Sequence, residues 1–229
     1  MAFAILKLSY NQPGESPLTG GVCGTGFFID DSTAVTAYHV LSERTFKPNT
    51  GFRYCCFWIL SRSGLVAQLD QYSLQGYPEI DTTAFRFDEP QLGITVYTPP
   101  SHKPEIGTEV CGIGHIGNEM PQVRARWEGQ SIVITHVDLD SVICDEIGHI
   151  IRIARFDVNA QDARLKNVAG YELSFGTNVG MSGGPLVDQR TGQALGLLSF
   201  GLPPDSYTKT QTFAVAMDEI QRRITRRGT

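Results

Sequence analysis

Residues 180–187 of this 229-residue chain read Gly-Met-Ser-Gly-Gly-Pro-Leu-Val. Glycines on both sides of Ser182 permit positive φ angles and let the main chain approach a ligand closely. Such a turn can expose the Ser182 hydroxyl while the amides of Gly180 and Ser182 point into one pocket. Two N–H groups arranged in this way stabilise the oxyanion of an acyl-transfer intermediate. The stretch is therefore typical of a nucleophilic serine with an oxyanion hole, and a plain glycine-rich hairpin turn stays open as the alternative.

Chain order separates two folds that use such a turn. The α/β-hydrolases also place their nucleophile within Gly-x-Ser-x-Gly, but their histidine follows the serine along the chain. The five histidines here are His39, His102, His115, His136 and His149, and all of them precede Ser182. The α/β-hydrolase fold is therefore excluded.

A second stretch supplies the base that a serine hydroxyl needs at neutral pH. Residues 24–29 read Gly-Thr-Gly-Phe-Phe-Ile, an Asp-Asp turn follows, and residues 35–41 read Val-Thr-Ala-Tyr-His-Val-Leu. This pattern predicts a hydrophobic hairpin that holds His39 at the end of a rigid strand. A lone histidine in that place is usually structural, but the serine turn makes His39 the candidate general base.

Together, the His39 and Ser182 stretches resemble the chymotrypsin-like (trypsin-fold) serine peptidases, and the leading strands are most similar to Deg-type and other bacterial trypsin-like members. Residues 194–201, Ala-Leu-Gly-Leu-Leu-Ser-Phe-Gly, resemble the family's Gly-[apolar]-[apolar]-Ser-Trp-Gly strand. The likeness runs from about residue 20 to the C-terminal helix, and it is loose over residues 115–170. It implies an all-β fold of two six-stranded antiparallel β-barrels with a C-terminal helix.

The resemblance also implies an acid between His39 and Ser182 that accepts a hydrogen bond from imidazole Nδ1. Residues 79–87, Glu-Ile-Asp-Thr-Thr-Ala-Phe-Arg-Phe, resemble the family's Asp-[apolar]-Ala-[apolar] strand and favour Asp81. The two threonines after Asp81 depart from that pattern, since one apolar residue is usual there. Asp70 is the main competing acid.

The resemblance further implies where a peptide would bind. Ser199, Phe200 and Gly201 would form the edge that pairs with an extended substrate. Relatives that cleave after Arg or Lys carry an acid six residues before the nucleophile, a position that Gly176 occupies here, with Thr177 beside it. A small or apolar residue is therefore expected at the cleavage site, although Asp205 is a further candidate for this pocket.

These stretches predict a serine endopeptidase with His39, Asp81 and Ser182 as its catalytic residues. The alternative is a catalytically silent peptide-binding module that keeps the fold, and the unusual strand after Asp81 leaves that alternative open. Zymogen members of the family place an Asp just before the nucleophile, where this chain has Met181. Activation by N-terminal cleavage is therefore not expected.

Composition limits the other possibilities. Hydrophobic residues make up 41% of the chain, which is enough to fill a core, and the formal charge is −5 with no basic block. Such a chain is a poor candidate for binding a nucleic-acid backbone. No apolar run approaches the roughly 18 residues of a membrane span, and no signal-peptide pattern is seen at the N-terminus. The expected partner is a polypeptide substrate, with no nucleic acid and no membrane, and the oligomeric state stays open.

Cysteine usage and ligand spacing complete the expectation. The five cysteines form an odd number without a C-x-x-C pair, which predicts reduced thiols in a cytoplasmic protein. The potential ligand groups at residues 136–140, and those of Glu146 and His149, have spacings that match no zinc pattern. No metal and no cofactor is expected.

Strand-like runs separated by turn residues recur along the chain, and a Pro-rich stretch at residues 98–104 divides them. The predicted units are an N-terminal barrel over residues 1–97 with His39 and Asp81, a linker over 98–106, and a C-terminal barrel over 107–229 with Ser182. The apolar spacing of Phe213, Val215, Ala216, Ile220 and Ile224 predicts a helix over about 213–226. The predicted strands are 26–29, 33–37, 52–60, 65–74, 82–87, 109–113, 131–137, 150–156, 169–175, 185–187 and 194–200.

Overall fold

A computed structural model describes residues 2–14, 19–42, 47–69, 73–89, 91, 94–117, 122–159, 164–202 and 211–227. The first half of the chain forms one curled antiparallel sheet, in the order β5-β4-β1-β2-β3-β7-β6 along the sheet. Its strands are Phe3–Tyr10 (β1), Thr19–Phe28 (β2), Thr33–Ala37 (β3), Tyr54–Ser61 (β4), Val66–Leu69 (β5), Leu74–Tyr77 (β6) and Thr82–Arg86 (β7).

The second half forms a closed six-stranded barrel in the order β11-β12-β15-β14-β13-β8, together with a separate β9–β10 hairpin. The barrel and hairpin strands are Glu109–His115 (β8), Gln122–Glu128 (β9), Ser131–Asp138 (β10), Ile143–Asn159 (β11), Arg164–Leu173 (β12), Pro185–Asp188 (β13), Ala194–Leu202 (β14) and Gln211–Ala216 (β15). The α-helix Met217–Arg227 (α1) follows β15. Short 3-10 helices lie at Tyr38–Leu41, Pro78–Ile80 and Asp140–Val142.

The predicted all-β class and the C-terminal helix are confirmed, but the first unit has seven strands and not six. The single strand predicted over residues 65–74 is wrong, because β5 and β6 lie at opposite edges of the sheet. β1 was not predicted, although it is a central strand between β2 and β4. Phe3 and Ile5 on one face of β1 enter one hydrophobic core, and Ala4 and Leu6 on the other face enter another. Its sequence therefore lacks the alternation of apolar and polar residues that marks a half-buried strand.

The helix predicted to begin near residue 213 begins instead at Met217. Residues 211–216 are β15, which pairs with β12 on one side and β14 on the other. Phe213 and Val215 enter one core while Ala214 and Ala216 enter another. This continuous apolar run mimics helical spacing. Within the described residues, no helix has both the length and the apolar character needed to cross a bilayer.

One hydrophobic core joins the two sheets and thereby positions the site between them. It includes Phe27 and Val35 from the first sheet and Leu197 and Val215 from the barrel. The division of the chain at residues 97 and 107 stays a prediction. The chain crosses from the first sheet to the barrel at Tyr97 and Thr98. The Tyr97 amide donates to Phe28 O of β2, and Thr98 O accepts the Ala194 amide of β14.

Candidate active site

Strand pairing brings His39 and Asp81 together. β3 pairs with β7 so that Ala37 lies opposite Thr82. His39 follows Ala37 by two residues and Asp81 directly precedes Thr82, so both lie at the same end of this strand pair. The chain leaves β3 in the 3-10 helix that carries His39, and the Tyr38 amide donates to Asp81 O at 3.0 Å. The two residues are 42 positions apart in sequence, yet the register of one strand pair sets their contact.

The Asp81 carboxylate is fully buried and bound on several sides. His39 Nδ1 lies 2.9 Å from Oδ2 and 3.1 Å from Oδ1, and the His39 backbone amide donates to Oδ1 at 3.0 Å. Asp81 has φ 46° and ψ 47°, in the left-handed region, where it ends the 3-10 helix Pro78–Ile80. Such a conformation in a residue other than glycine is uncommon and is concentrated at functional sites. The competing acid, Asp70, lies outside the described residues.

Ser199 links Asp81 to Ser182. Its buried hydroxyl donates to Asp81 Oδ2 at 2.5 Å, and its carbonyl accepts the Ser182 hydroxyl at 3.2 Å. The sequence predicted that Ser199 would line the peptide edge, but it did not predict that the side chain binds the acid. The available signal was a single hydroxyl within the apolar run Leu195–Phe200.

The serine turn packs directly against the first sheet. Gly183 has φ +88°, and a Cβ atom there would overlap the Thr25 carbonyl and the Thr36 hydroxyl. The Thr25 amide donates to Ser182 O at 2.9 Å. Glycine at position 183 therefore allows the turn to approach β2 and β3, the hairpin that leads to His39.

The backbone amides of the turn fall into two groups, those that donate to a described backbone carbonyl and those that do not. Those of Met181, Gly183 and Gly184 donate to the carbonyls of Asn178, Leu198 and Met181 at 3.1, 2.7 and 3.0 Å. Within the described part of the chain, the amides of Gly180 and Ser182 donate to no backbone carbonyl. The predicted oxyanion hole requires these two groups to be available for a ligand.

β14 also contacts His39 and offers an edge beside the serine. The Phe200 ring stacks on the His39 ring with centroids 5.0 Å apart and planes inclined by 22°. β13 pairs with β14 only as far as Leu197, whereas β15 follows β14 to Leu202. Residues 199–201 thus extend beyond the last β13 partner on the side of the serine turn.

The remaining residues predicted to bind substrate lie before the turn. Thr212 Oγ1 donates to Thr177 Oγ1 at 3.3 Å, so the barrel wall at β15 fixes this threonine. Gly176 precedes it in the described structure, and Asp205 lies outside the described residues. Residues 176–177 therefore adjoin β15 in the described structure, while the role of Asp205 stays a prediction.

Other nucleophile and base candidates have environments that favour a structural role. Burial raises the pKa of Cys23 to about 12 and that of Cys56 to about 11, so these thiols stay protonated at neutral pH. No disulfide joins any two of the five cysteines, all of which lie in the described part of the chain. Burial, with a smaller contribution from the charge of Arg62, lowers the pKa of His115 to about 4. Ser174 Oγ lies 3.3 Å from His149 Nδ1, and this serine–histidine contact is solvent-exposed.

Solved structures share this fold at low sequence identity. The active form of the Rv3671c protease from M. tuberculosis superposes with a TM-score of 0.58 and 16% identity, over 97% of this chain and 79% of that chain. The HtrA-type protease AlgW with a decapeptide gives 0.62 and 15%, over 98% and 63% of the two chains. The serine endoprotease from Yersinia pestis gives 0.55 and 17%, over 97% and 62%. The chymotrypsin-like double β-barrel fold is thereby confirmed.

The chain also matches a protein-family model, which is consistent with this fold. No curated protein sequence matches the chain. The match extends over residues 24–197, a segment that holds His39, Asp81 and Ser182. It covers well over half of the 229 residues. This chain therefore belongs to the family of trypsin-like peptidase domains.

Proposed function

We propose that this chain is a serine endopeptidase that hydrolyses peptide bonds through an acyl-enzyme on Ser182. In this proposal His39 is the general base and then the general acid, and Asp81 orients His39. The observation that carries the proposal is the arrangement around one buried carboxylate. Asp81 binds His39 Nδ1 at 2.9 Å and the Ser199 hydroxyl at 2.5 Å, while the carbonyl of the same Ser199 accepts the Ser182 hydroxyl.

The Asp81 carboxylate selects the tautomer of His39. A carboxylate only accepts hydrogen bonds, so Nδ1 keeps its proton and the lone pair of the neutral ring lies on Nε2. Nε2 is therefore the nitrogen that removes the Ser182 proton. The imidazolium that forms is stabilised by the adjacent negative charge. The His39 amide and the Ser199 hydroxyl hold the carboxylate in place during this change of charge.

The proposed reaction begins when the Ser182 hydroxyl turns from Ser199 O to His39 Nε2. The serine oxygen bonds to the substrate carbonyl carbon as its proton moves to His39, and the oxyanion is held by the amides of Gly180 and Ser182. Cleavage of the C–N bond releases an amine that takes the proton from His39. A water molecule then repeats the sequence on the ester, which releases the acid and restores the serine.

The substrate of the proposed enzyme is an extended polypeptide. The edge of β14 over residues 199–201 extends beyond its last β13 partner, which supports pairing with an added strand. AlgW, which shares the fold, was solved with a decapeptide. Since Gly176 and Thr177 carry no charge, we propose a small or apolar residue on the acyl side of the cleaved bond. The lack of disulfides among the five cysteines supports a reducing compartment, and a cytoplasmic location is part of the proposal.

A fluorophosphonate probe tests the function directly, because it phosphonylates a serine only where a base and an oxyanion hole activate it. The wild-type protein should be labelled near pH 8 and Ser182→Ala should not. Ser174→Ala is the matched control, because Ser174 Oγ lies 3.3 Å from His149 Nδ1. This control should be labelled like the wild type. Folded wild-type protein that resists the probe would instead support the silent peptide-binding module.

Cleavage of a peptide library tests the substrate preference. We expect small or apolar residues to dominate on the acyl side of the cleaved bond. A preference for Arg or Lys would contradict the assignment of the pocket to Gly176 and Thr177, and would direct attention to Asp205. In that case Asp205→Asn should remove the preference, because the counter-charge is lost while the size of the side chain is kept.

A further inference from the structure

Thr25 connects the first sheet to the serine turn through its main chain and its side chain. It lies on β2 and is fully buried. Its amide donates to Ser182 O at 2.9 Å, and its hydroxyl donates to Gly180 O at 2.8 Å. The same hydroxyl accepts the His115 amide of β8 at 3.0 Å. Thr25 therefore binds the carbonyls of the two residues whose amides form the proposed oxyanion hole.

The Gly180 carbonyl belongs to the peptide group before the Met181–Ser182 peptide, and the Ser182 carbonyl belongs to the one after it. Thr25 therefore holds the peptide groups on both sides of the one that carries the Ser182 amide. Gly180 has φ +95°, and because it has no Cβ, its own backbone does little to restrain that angle. The preceding plane is held by the turn that follows β8, since the Gly117 amide donates to Val179 O at 2.5 Å. The plane that begins at the Gly180 carbonyl is held by the Thr25 hydroxyl. The orientation of the turn thus depends on a group outside the turn.

We propose that Thr25 is a positioning residue for the reaction. Its hydroxyl holds the Gly180 peptide so that the amides of Gly180 and Ser182 converge on one point, and it thereby acts on the transition state. This inference rests on the proposed function. Because the oxyanion forms only after substrate binds, loss of the hydroxyl affects kcat more than KM.

Substitutions that remove only the hydroxyl separate this role from simple packing. Thr25→Val keeps the branched shape and removes the hydroxyl, whereas Thr25→Ser keeps the hydroxyl and removes a methyl group. Thr83→Val is the matched control. Thr83 is also a buried threonine of the first sheet, and its hydroxyl has no hydrogen-bond partner among the described residues.

The experiment measures kcat and KM for a peptide substrate, with kcat expressed per active site titrated by the fluorophosphonate. We expect Thr25→Val to lower kcat by about 10- to 100-fold and to change KM by less than about threefold, since a small misplacement of catalytic groups costs up to about 100-fold. Thr25→Ser should stay within about threefold of wild type. Thr83→Val should match wild type.

Three results would overturn the inference, and they differ from failure of the proposed function. If Thr25→Val loses titratable sites or thermal stability but keeps kcat per site, the residue is merely structural. If Thr25→Val behaves as wild type, the hydroxyl has no role. If Thr25→Val does not fold, Thr25→Ala takes its place, and wild-type kcat per site in that variant would likewise overturn the inference. A wild-type protein that is neither labelled nor active would refute the proposed function itself.

Discussion

Two histidines next to the serine turn lie in opposite environments. The His39 side chain is 22% exposed, its Nδ1 binds a buried carboxylate, and its ring stacks on Phe200. The His115 side chain is fully buried, and neither ring nitrogen has a hydrogen-bond partner among the described groups. A base must reach substrate and must tolerate a positive charge, and only the surroundings of His39 provide for both. The comparison shows that closeness to the serine turn does not by itself equip a histidine to act as a base.

Of the changes to these two histidines and their neighbours, replacement of His39 should have the largest effect, and this effect is on kcat. Because the alanine variant lacks the proposed base, we expect His39→Ala to lower kcat by about 10⁴-fold or more. The melting temperature should fall by only several degrees, because the buried Asp81 carboxylate loses one partner but keeps the Ser199 hydroxyl and the residue 39 backbone amide. Peptide hydrolysis and thermal melting measure the two effects. His149→Ala is the control, since His149 Nδ1 lies 3.3 Å from Ser174 Oγ, and a loss of activity in this variant would assign the reaction to that serine and histidine instead.

Protonation of His115 should make the free energy of unfolding depend on pH. Its pKa is about 4 in the folded protein, below the ordinary value of 6.5, so between these pH values the unfolded chain takes up a proton that the folded chain does not. Stability is therefore lost as pH falls from about 6.5 to about 4, by up to about 3 kcal/mol. Urea unfolding at a series of pH values measures this loss.

His115→Leu should reduce the loss of stability in acid, because no imidazole is then left to protonate at this buried position. His136→Gln is the matched control, since His136 is an exposed histidine of β10, and the acid-dependent loss should be kept. An unchanged pH dependence in His115→Leu would show that His115 is protonated as readily in the folded protein as in the unfolded chain.

Removal of the Ser199 hydroxyl should lower kcat by an intermediate amount, because this hydroxyl binds the carboxylate that orients His39. Ser199→Ala leaves Asp81 Oδ2 without one of its donors inside the protein. We expect kcat to fall about tenfold, because a hydrogen bond to a charged group contributes about 1.5–3 kcal/mol and only part of it bears on the orientation of His39. Steady-state kinetics with the same peptide measures the change. Wild-type kcat in this variant would show that the His39 contacts alone fix the carboxylate.

The stacked Phe200 ring should contribute least. Phe200→Leu keeps an apolar side chain and removes the ring that lies on His39. Aromatic pairs contribute about 0.5–1.5 kcal/mol beyond their buried area, which corresponds to a fall in kcat/KM of about two- to tenfold. Kinetics with a short and a long peptide separates the effects on His39 and on substrate binding. A fall confined to the longer peptide would assign Phe200 to the binding edge alone.

The parts of the site that the sequence predicts are those coded by neighbouring residues. The serine turn and the hairpin before His39 are short stretches whose glycines and apolar residues determine local backbone geometry. Asp81 was predicted because residues 79–87 resemble the family's acid-bearing strand, and the pairing of β3 with β7 brings it to His39. The fold class follows from the same short signals.

The contacts that escaped prediction depend on residues far apart in the chain. Ser199 reaches Asp81 across 118 positions, and Thr25 reaches Gly180 across 155, and neither contact leaves a local pattern. β1 and β15 were missed because both of their faces are buried, which removes the period of two that marks an amphipathic strand. The left-handed backbone of Asp81 is likewise imposed by its bonds to the surrounding structure.

The central position of β1 bears on how the chain is assembled during synthesis. The strand emerges from the ribosome before the others, yet one of its two neighbours, β4, is translated only after β2 and β3 are complete. Until then the backbone N–H and C=O groups along one edge of β1 have no strand to pair with, and its apolar side chains are open to chaperones or to another copy of the chain. Slower translation between β3 and β4 should therefore lower the yield of native protein.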